Sequence, residues 1–190
     1  MVPTSIYPRL ITACWVIFLA YWLISAAAAK KTVGGAWPGL VIRAVIAFAL
    51  IALFRDKVKG ALRGSALADT ASATRAGIGV ALCVVGLAFA VWARAHLGRN
   101  WGMPRAVKED PELVMTGPYA YVRHPIYAGM FVAMIGSGLV AGWPWILFTV
   151  VFAAYFLYSA TEEEKLMLRT FPDSYPEYQQ RTKMLVPYVL

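Results

Sequence analysis

Thirteen residues, Gly117-Pro118-Tyr119-Ala120-Tyr121-Val122-Arg123-His124-Pro125-Ile126-Tyr127-Ala128-Gly129, gather a guanidinium, an imidazole and three phenols. Gly117-Pro118 punctuates a turn. Pro125 suits the first turn of a helix, where its missing N–H costs nothing, and it biases His124 toward an extended backbone. His124 is therefore expected at the mouth of a helix, beside unpaired backbone N–H groups and the positive end of the dipole, where an anionic group such as a carboxylate can be held. Gly129, Ala133 and Gly136 fall on roughly one face of that helix, so a neighbouring helix or a ligand can come close. A second group, Glu162-Glu163-Glu164, follows about 35 residues later. Three successive helical residues spread over about 200° of the circumference, so they cannot all face one pocket.

These groups need elements to bring them together, and the chain offers apolar runs. They are Leu10–Ala29, Pro38–Phe54, Ala76–Ala95, Pro125–Ala141 and Pro144–Ala160. Seventeen residues of helix reach about 26 Å, near the lower limit for crossing a bilayer. The first run has Arg9 before it and alanines after it, as a signal peptide would. It is expected to stay as the first span because further apolar runs follow. Arg43, inside the second run, lies near enough to the helix start to snorkel. Gly142-Trp143-Pro144 predicts a tight turn that makes the last two runs an antiparallel hairpin. That hairpin returns the glutamates to the membrane face bearing Arg123 and His124. The predicted architecture is an all-α integral membrane protein with about five transmembrane helices, the last two a tight hairpin, and a cytosolic loop and C-terminal tail forming a pocket. Residues 1–96 are read as plain membrane helices. Residues 97–190 are read as the region that carries chemistry, because Gly, Pro, His, Tyr and clustered charge begin there.

Composition agrees. Hydrophobic residues make up 60% of the chain and charged residues 15%, against about 45–50% and about 25% in soluble domains. Mean hydropathy is +0.60. The net charge of +8 sits in short clusters between apolar runs, as loops beside an anionic bilayer do, and not as a stripe for nucleic acid. With the N-terminus outside, ten basic residues face the cytosol, and with it inside, six do. The first orientation is expected, with Gly98–His124 and the tail cytosolic. Cys14 and Cys83 lie in apolar runs and suggest neither a disulfide framework nor a metal site. Leu97-Gly98-Arg99-Asn100-Trp101 reads as a basic loop with an interfacial Trp, and the tail presents Tyr175 and Tyr178 at i, i+3 as a pocket lid would.

As an ordered set, Arg-His-Pro-x-Tyr-x-Gly at Arg123–Gly129, an apolar hairpin, and glutamates at Glu162 and Glu163 resemble the isoprenylcysteine carboxyl methyltransferase family, which belongs to a wider group with phospholipid N-methyltransferases. Leu97–Trp101 and the Tyr175/Tyr178 tail add to the likeness, which covers about Ala93–Pro187. The resemblance implies S-adenosyl-L-methionine as cofactor, no metal, a cytosol-facing cofactor pocket, and lipid-side access for a hydrophobic, lipid-like or prenylated acceptor. It gives as candidate cofactor-binding residues Tyr119, His124, Pro125, Tyr127, Gly129, Glu162 and Glu163. Candidate catalytic residues are Arg99, Arg123, Glu162 and Glu163.

A carboxylate acceptor is already a nucleophile at neutral pH and needs alignment, for which an arginine fork is well shaped. An amine acceptor must first lose a proton, and Glu162, Glu163 or His124 is then the candidate base. Three functions stand beside one another: carboxyl O-methylation, N- or S-methylation of a lipid or hydrophobic thiol, and a membrane reductase or non-catalytic scaffold. The Ala- and Arg-rich composition points to a bacterial inner membrane.

Overall fold

The structure is a computed structural model that describes residues 6–27, 29–30, 32–34, 72–102 and 107–186. The second apolar run with Arg43, the basic connector as far as Ala71, and Lys31, Arg105 and Pro187 lie outside the described residues. Five α-helices are described: α1 (Ile6–Ala26), α2 (Ala73–Leu97), α3 (Pro125–Ala141), α4 (Trp143–Thr170) and α5 (Tyr175–Arg181). The chain is mostly helical. One departure from an all-α fold is a two-stranded antiparallel ribbon, β1 (Thr32–Gly34) with β2 (Val107–Lys108), which pairs Thr32 with Lys108.

Local sequence explains the helix ends. The Ser72 side chain accepts from the Arg75 amide and caps α2, which occupies one of the orphan first-turn donors. Gly98, at φ +57, ends α2 in a conformation that favours glycine. Pro125 opens α3 at its first position, with His124 in a non-helical cap. Gly142, at φ 87, breaks α3 from α4. α4 then continues ten residues beyond the apolar run, to Thr170, and so carries the three glutamates on ordered helix.

Among the described residues two helices are long and apolar enough to cross a membrane, Ile6–Ala26 and Ala73–Asn100, and Pro125–Ala141 is a shorter apolar helix. Their outward faces are apolar: Ile17, Leu23 and Ile24 on α1 are 68%, 68% and 75% exposed. Water would penalise such a surface and lipid would not.

The closest packing joins α2 to α3. A Cβ built on Gly79 would stand 2.6 Å from the Gly136 carbonyl oxygen, and one on Gly129 would stand 2.6 Å from that of Gly86. Glycines at 79 and 86 thus face glycines at 129 and 136, and the two backbones touch, as small residues in membrane helices allow. Sequence alone suggested the fifth span or a ligand as the neighbour of Gly129; α2 is the neighbour. Trp15 Nε1 donates to Ser137 Oγ at 3.0 Å, and Ser137 donates to the Ala133 carbonyl at 2.8 Å, pinning α1 to the same layer. α1 and α2 run the same way, since Trp15 and Cys83 both meet Ser137 while Ser25 meets Arg94. α3 and α4 run in opposite directions, pairing Met134 with Trp145 and Tyr127 with Phe156.

Candidate functional site

The C-terminal ends of α1, α2 and α4 and the start of α3 converge on one face of the molecule. A cavity of about 400 Å³ opens among them, within the usual ~300–1,000 Å³ for small-ligand sites. Its outer end is polar, with His124, Glu163, Tyr119, Asn100 and Glu112. Its inner end is apolar and aromatic, with Trp15, Phe18, Met134, Phe148 and Phe152. Along α3 the lining runs from His124 to Met134, about 15 Å by helical rise.

The polar end is built by pairing of the tail. Val122 bridges Lys183 in parallel, the Arg123 amide donates to the Lys183 carbonyl at 2.8 Å, and the His124 amide donates to that of Met184 at 3.0 Å. α5 buries Tyr175 and Tyr178, and the Tyr178 hydroxyl donates to the Tyr119 carbonyl at 2.6 Å. The i, i+3 tyrosines are therefore the inner face of the tail helix. Burial pushes the Tyr119 and Tyr175 phenols well above their ordinary value and that of Tyr178 up to about 12, so they stay neutral hydrogen-bonding groups.

The rotation of α4 assigns each glutamate a different place. Glu162 pairs with Lys165 at 2.7 Å on the surface and does not border the cavity. Glu163 borders it and accepts from the Tyr127 hydroxyl. Glu164 is buried behind it and accepts from Arg123 Nε at 2.6 Å and from Gln179 Nε2 at 2.9 Å. Its carboxyl is held down at about 2: burial alone would raise it, and the contacts from His124 and Arg123 more than offset that. The structure thus brings Glu163 to the site and leaves Glu162, a sequence candidate for both roles, outside.

The His124 ring stacks on Tyr127 at 5.6 Å and 10°, and Tyr127 stacks on Phe156 at 5.0 Å and 8°. His124 Nε2 lies 3.3 Å from Glu164 Oε1, and Nδ1 lies 3.7 Å from Glu163 Oε2. Arg123 borders the cavity, but its Nη1 donates to the Gln179 carbonyl at 3.2 Å and to that of Thr182. Pro125 and Tyr119 also line the cavity. Gly129 does not, because it faces α2.

Arg99 is exposed and does not border the cavity. Its neighbours in the same motif take its place. Asn100 donates to Glu112 at 3.2 Å, and Lys30 Nζ meets Glu112 at 3.0 Å and the Asp110 carbonyl at 2.7 Å, tying the end of α1 to the rim. These contacts hold the exposed Glu112 carboxyl below its ordinary value. Arg94, inside an apolar run, is 3% exposed. It donates to the Ser25 and Gly98 carbonyls at 2.6 and 2.8 Å and stacks 4.5 Å over Trp101, which walls the cavity. A buried cation where two helices end complements both dipoles. A lone charge in an apolar run was the only sequence signal for it. Among the described residues no cluster of metal-ligating side chains is present.

Comparison with known proteins follows this geometry. Residues 74–174 match the phospholipid methyltransferase family. The protein-S-isoprenylcysteine O-methyltransferase of Schizosaccharomyces pombe is 35% identical over 83 residues, covering 43% of this chain and 35% of that protein. A methanethiol S-methyltransferase of Bradyrhizobium diazoefficiens is 36% identical over 70 residues, covering 37% of this chain and 24% of that protein. The nickel-cobalt-cadmium resistance protein NccN of Alcaligenes xylosoxydans is 32% identical over 113 residues, covering 58% and 52%. The chain thus matches from about a quarter to about half the length of these relatives. The solved eukaryotic intramembrane Ras methyltransferase, an isoprenylcysteine carboxyl methyltransferase, superposes with a TM-score of 0.54 at 25% identity, over 83% of this chain and 55% of that one.

Proposed function

Because this chain belongs to the phospholipid methyltransferase family, we propose that it is an integral membrane methyltransferase that uses S-adenosyl-L-methionine to methylate a hydrophobic or lipid-linked acceptor. The observation that carries the reading is one cavity with a charged outer end at Arg123–Tyr127 and Glu163 and an aromatic inner end. The residues fit the cofactor. Glu163 offers a carboxylate to its cationic groups, the first-turn amides of α3 and the remaining Arg123 donor suit its carboxylate, and Tyr119 offers an aromatic face. The cofactor supplies an activated methyl on a sulfonium. The protein's share is to orient the acceptor against it and exclude water, and alignment is worth up to ~7–11 kcal/mol in the best intramolecular cases. His124 and Glu163 are the groups placed to take a proton from an amine or thiol acceptor. A carboxylate acceptor needs no such step. In this reading the region 97–190 carries the chemistry, and α1 and α2 supply walls.

The experiment is label transfer. Purified protein, labelled cofactor and three acceptors (a prenylated cysteine analogue, phosphatidylethanolamine and a small apolar thiol) should give one labelled product, which identifies the acceptor atom. Glu163→Gln should weaken cofactor binding at least about tenfold, as loss of a charged contact does. Glu162→Gln should leave it near wild type. No cofactor binding by the folded wild-type protein would sink the reading.

The topology belongs to the same proposal: five crossings, a closing helical hairpin, and the tail in the cytosol of a bacterial inner membrane. α1 and α2 run in the same direction, as two crossings separated by one return crossing do. A cysteine placed at the exposed Ser174 should resist impermeant thiol reagents in intact cells and react after lysis. Ready labelling from outside would overturn the orientation.

A further inference from the structure

Glu164 does not border the cavity, yet it touches two residues that do. One oxygen, Oε1, meets both Arg123 Nε at 2.6 Å and His124 Nε2 at 3.3 Å. The other, Oε2, accepts from Gln179 at 2.9 Å. An ionised carboxylate is acceptor-only, so Glu164 at 3.3 Å favours a proton on Nε2 of His124. The ring stands at a choice, because a half-turn about its last torsion would put Cδ2 in the place of Nδ1 and Cε1 in the place of Nε2, and would turn both nitrogens away from their carboxylates. Glu164 decides that choice from behind, and Nδ1 is thereby the nitrogen turned toward Glu163. The same carboxylate fixes the other neighbour. It takes Nε of Arg123 while tail carbonyls take Nη1, so the guanidinium plane is set before any ligand arrives.

Resting on the reading of this cavity as the cofactor site, we propose that Glu164 is a positioning residue for cofactor binding: it never meets the cofactor, and it sets the orientation of His124 and Arg123, which do. This separates three consecutive glutamates by role, with Glu162 on the surface, Glu163 in the cavity and Glu164 behind it. Groups that orient ligand-contacting side chains in this way commonly change affinity about 10–100-fold when removed, as at metal sites.

The test measures calorimetric affinity for S-adenosylhomocysteine, the demethylated cofactor, on protein held well below its melting temperature. Glu164→Gln keeps the shape and removes the charge, and affinity should fall about tenfold or more. Glu164→Asp keeps the charge and shortens the reach, which loosens the 3.3 Å His124 contact first, so its affinity should lie between the two. Glu162→Gln, the same change two residues away, should bind within about twofold of wild type. A merely structural role would lower the melting temperature and leave these affinities alike. Glu164→Gln binding within about twofold of wild type overturns the proposal. If that variant does not fold, Glu164→Asp with wild-type affinity does so.

A second measurement stands apart from any cofactor. The chain has two histidines, so ¹⁵N-histidine spectra in a His96→Gln background report His124 alone. Glu164→Asp should shift both ring nitrogens, and an unchanged spectrum overturns the positioning role. If the wild-type protein binds no cofactor, the function proposed above fails, and the spectrum still decides whether Glu164 sets the ring.

Discussion

Arg123→Met is expected to cost the folded protein about 3–5 kcal/mol, the usual penalty for stranding one member of a buried ion pair. The side chains of Arg123 and Glu164 are each 11% exposed. The methionine would leave a buried carboxylate facing His124 without its main cation, and the carbonyls of Gln179 and Thr182 without a donor. Both carbonyls lie in the tail, so the loss should appear first as release of α5 and exposure of Tyr175 and Tyr178. Denaturant unfolding in detergent reads the cost, and limited proteolysis reads the release. The double variant Arg123→Met/Glu164→Leu should recover some of it, because the stranded charge is gone while the carbonyls still lack their donor. A single variant within about 0.5 kcal/mol of wild type would place the pair among ordinary surface contacts.

The same pair sets a pH window. Folding depresses the Glu164 carboxyl from 4.5 to about 2. A group depressed by folding contributes stability that is complete above its unfolded value and disappears as pH falls through its folded value. Wild-type stability should therefore decline between about pH 4.5 and about pH 2, and Glu164→Gln should be flatter across that interval.

Some of this was legible in the sequence because local chemistry decided it. Pro125 starts α3, Gly98 and Gly142 end helices, and the tail tyrosines share a face for reasons contained in a few residues. The rotation of α4 is different. Three adjacent glutamates are equivalent until Phe152, Phe156 and Tyr155 pack, and those contacts, set far along the chain, turn Glu163 inward and Glu162 out. Of the pair chosen from sequence, Glu163 borders the cavity and Glu162 does not. Arg99 was a candidate because a guanidinium can orient a carboxylate, yet the short turn after α2 leaves it exposed. The resemblance located the motif, and only three-dimensional packing separated the residues that line the cavity from those behind them. Gly129 shows the same limit: its place in the motif suggested a cofactor contact, and its neighbour across the helix interface could not be read from spacing.

Gly129→Leu should yield little or no folded protein. A single added methyl would already stand 2.6 Å from the Gly86 carbonyl oxygen, 2.8 Å from the Ala90 amide nitrogen and 3.0 Å from its Cβ. Two of those three are backbone, which cannot turn aside as a side-chain tip can. Overpacking a core usually costs ~1–3 kcal/mol, and here a leucine must push apart helices whose glycines meet reciprocally at 79, 86, 129 and 136. Separation would carry the first turn of α3 with it, and with that turn His124 and Tyr127. Activity would then fall for a reason that has nothing to do with a cofactor touching Gly129. Gly129→Ala tests that distinction: it should melt lower than wild type, while cofactor affinity of the folded fraction, measured in the cold, stays near the wild-type value. A large affinity loss at unchanged melting temperature would instead put Gly129 against the cofactor. Gly77→Leu is the fitting control, since nothing lies within 4 Å of a Cβ there, and it should fold as well as wild type. Gly138, nine residues further along α3, is buried and would confuse the comparison. Equal yields of Gly129→Leu and Gly77→Leu would show that α2 and α3 do not meet through their glycines, and the frame that holds the site would have to be drawn again.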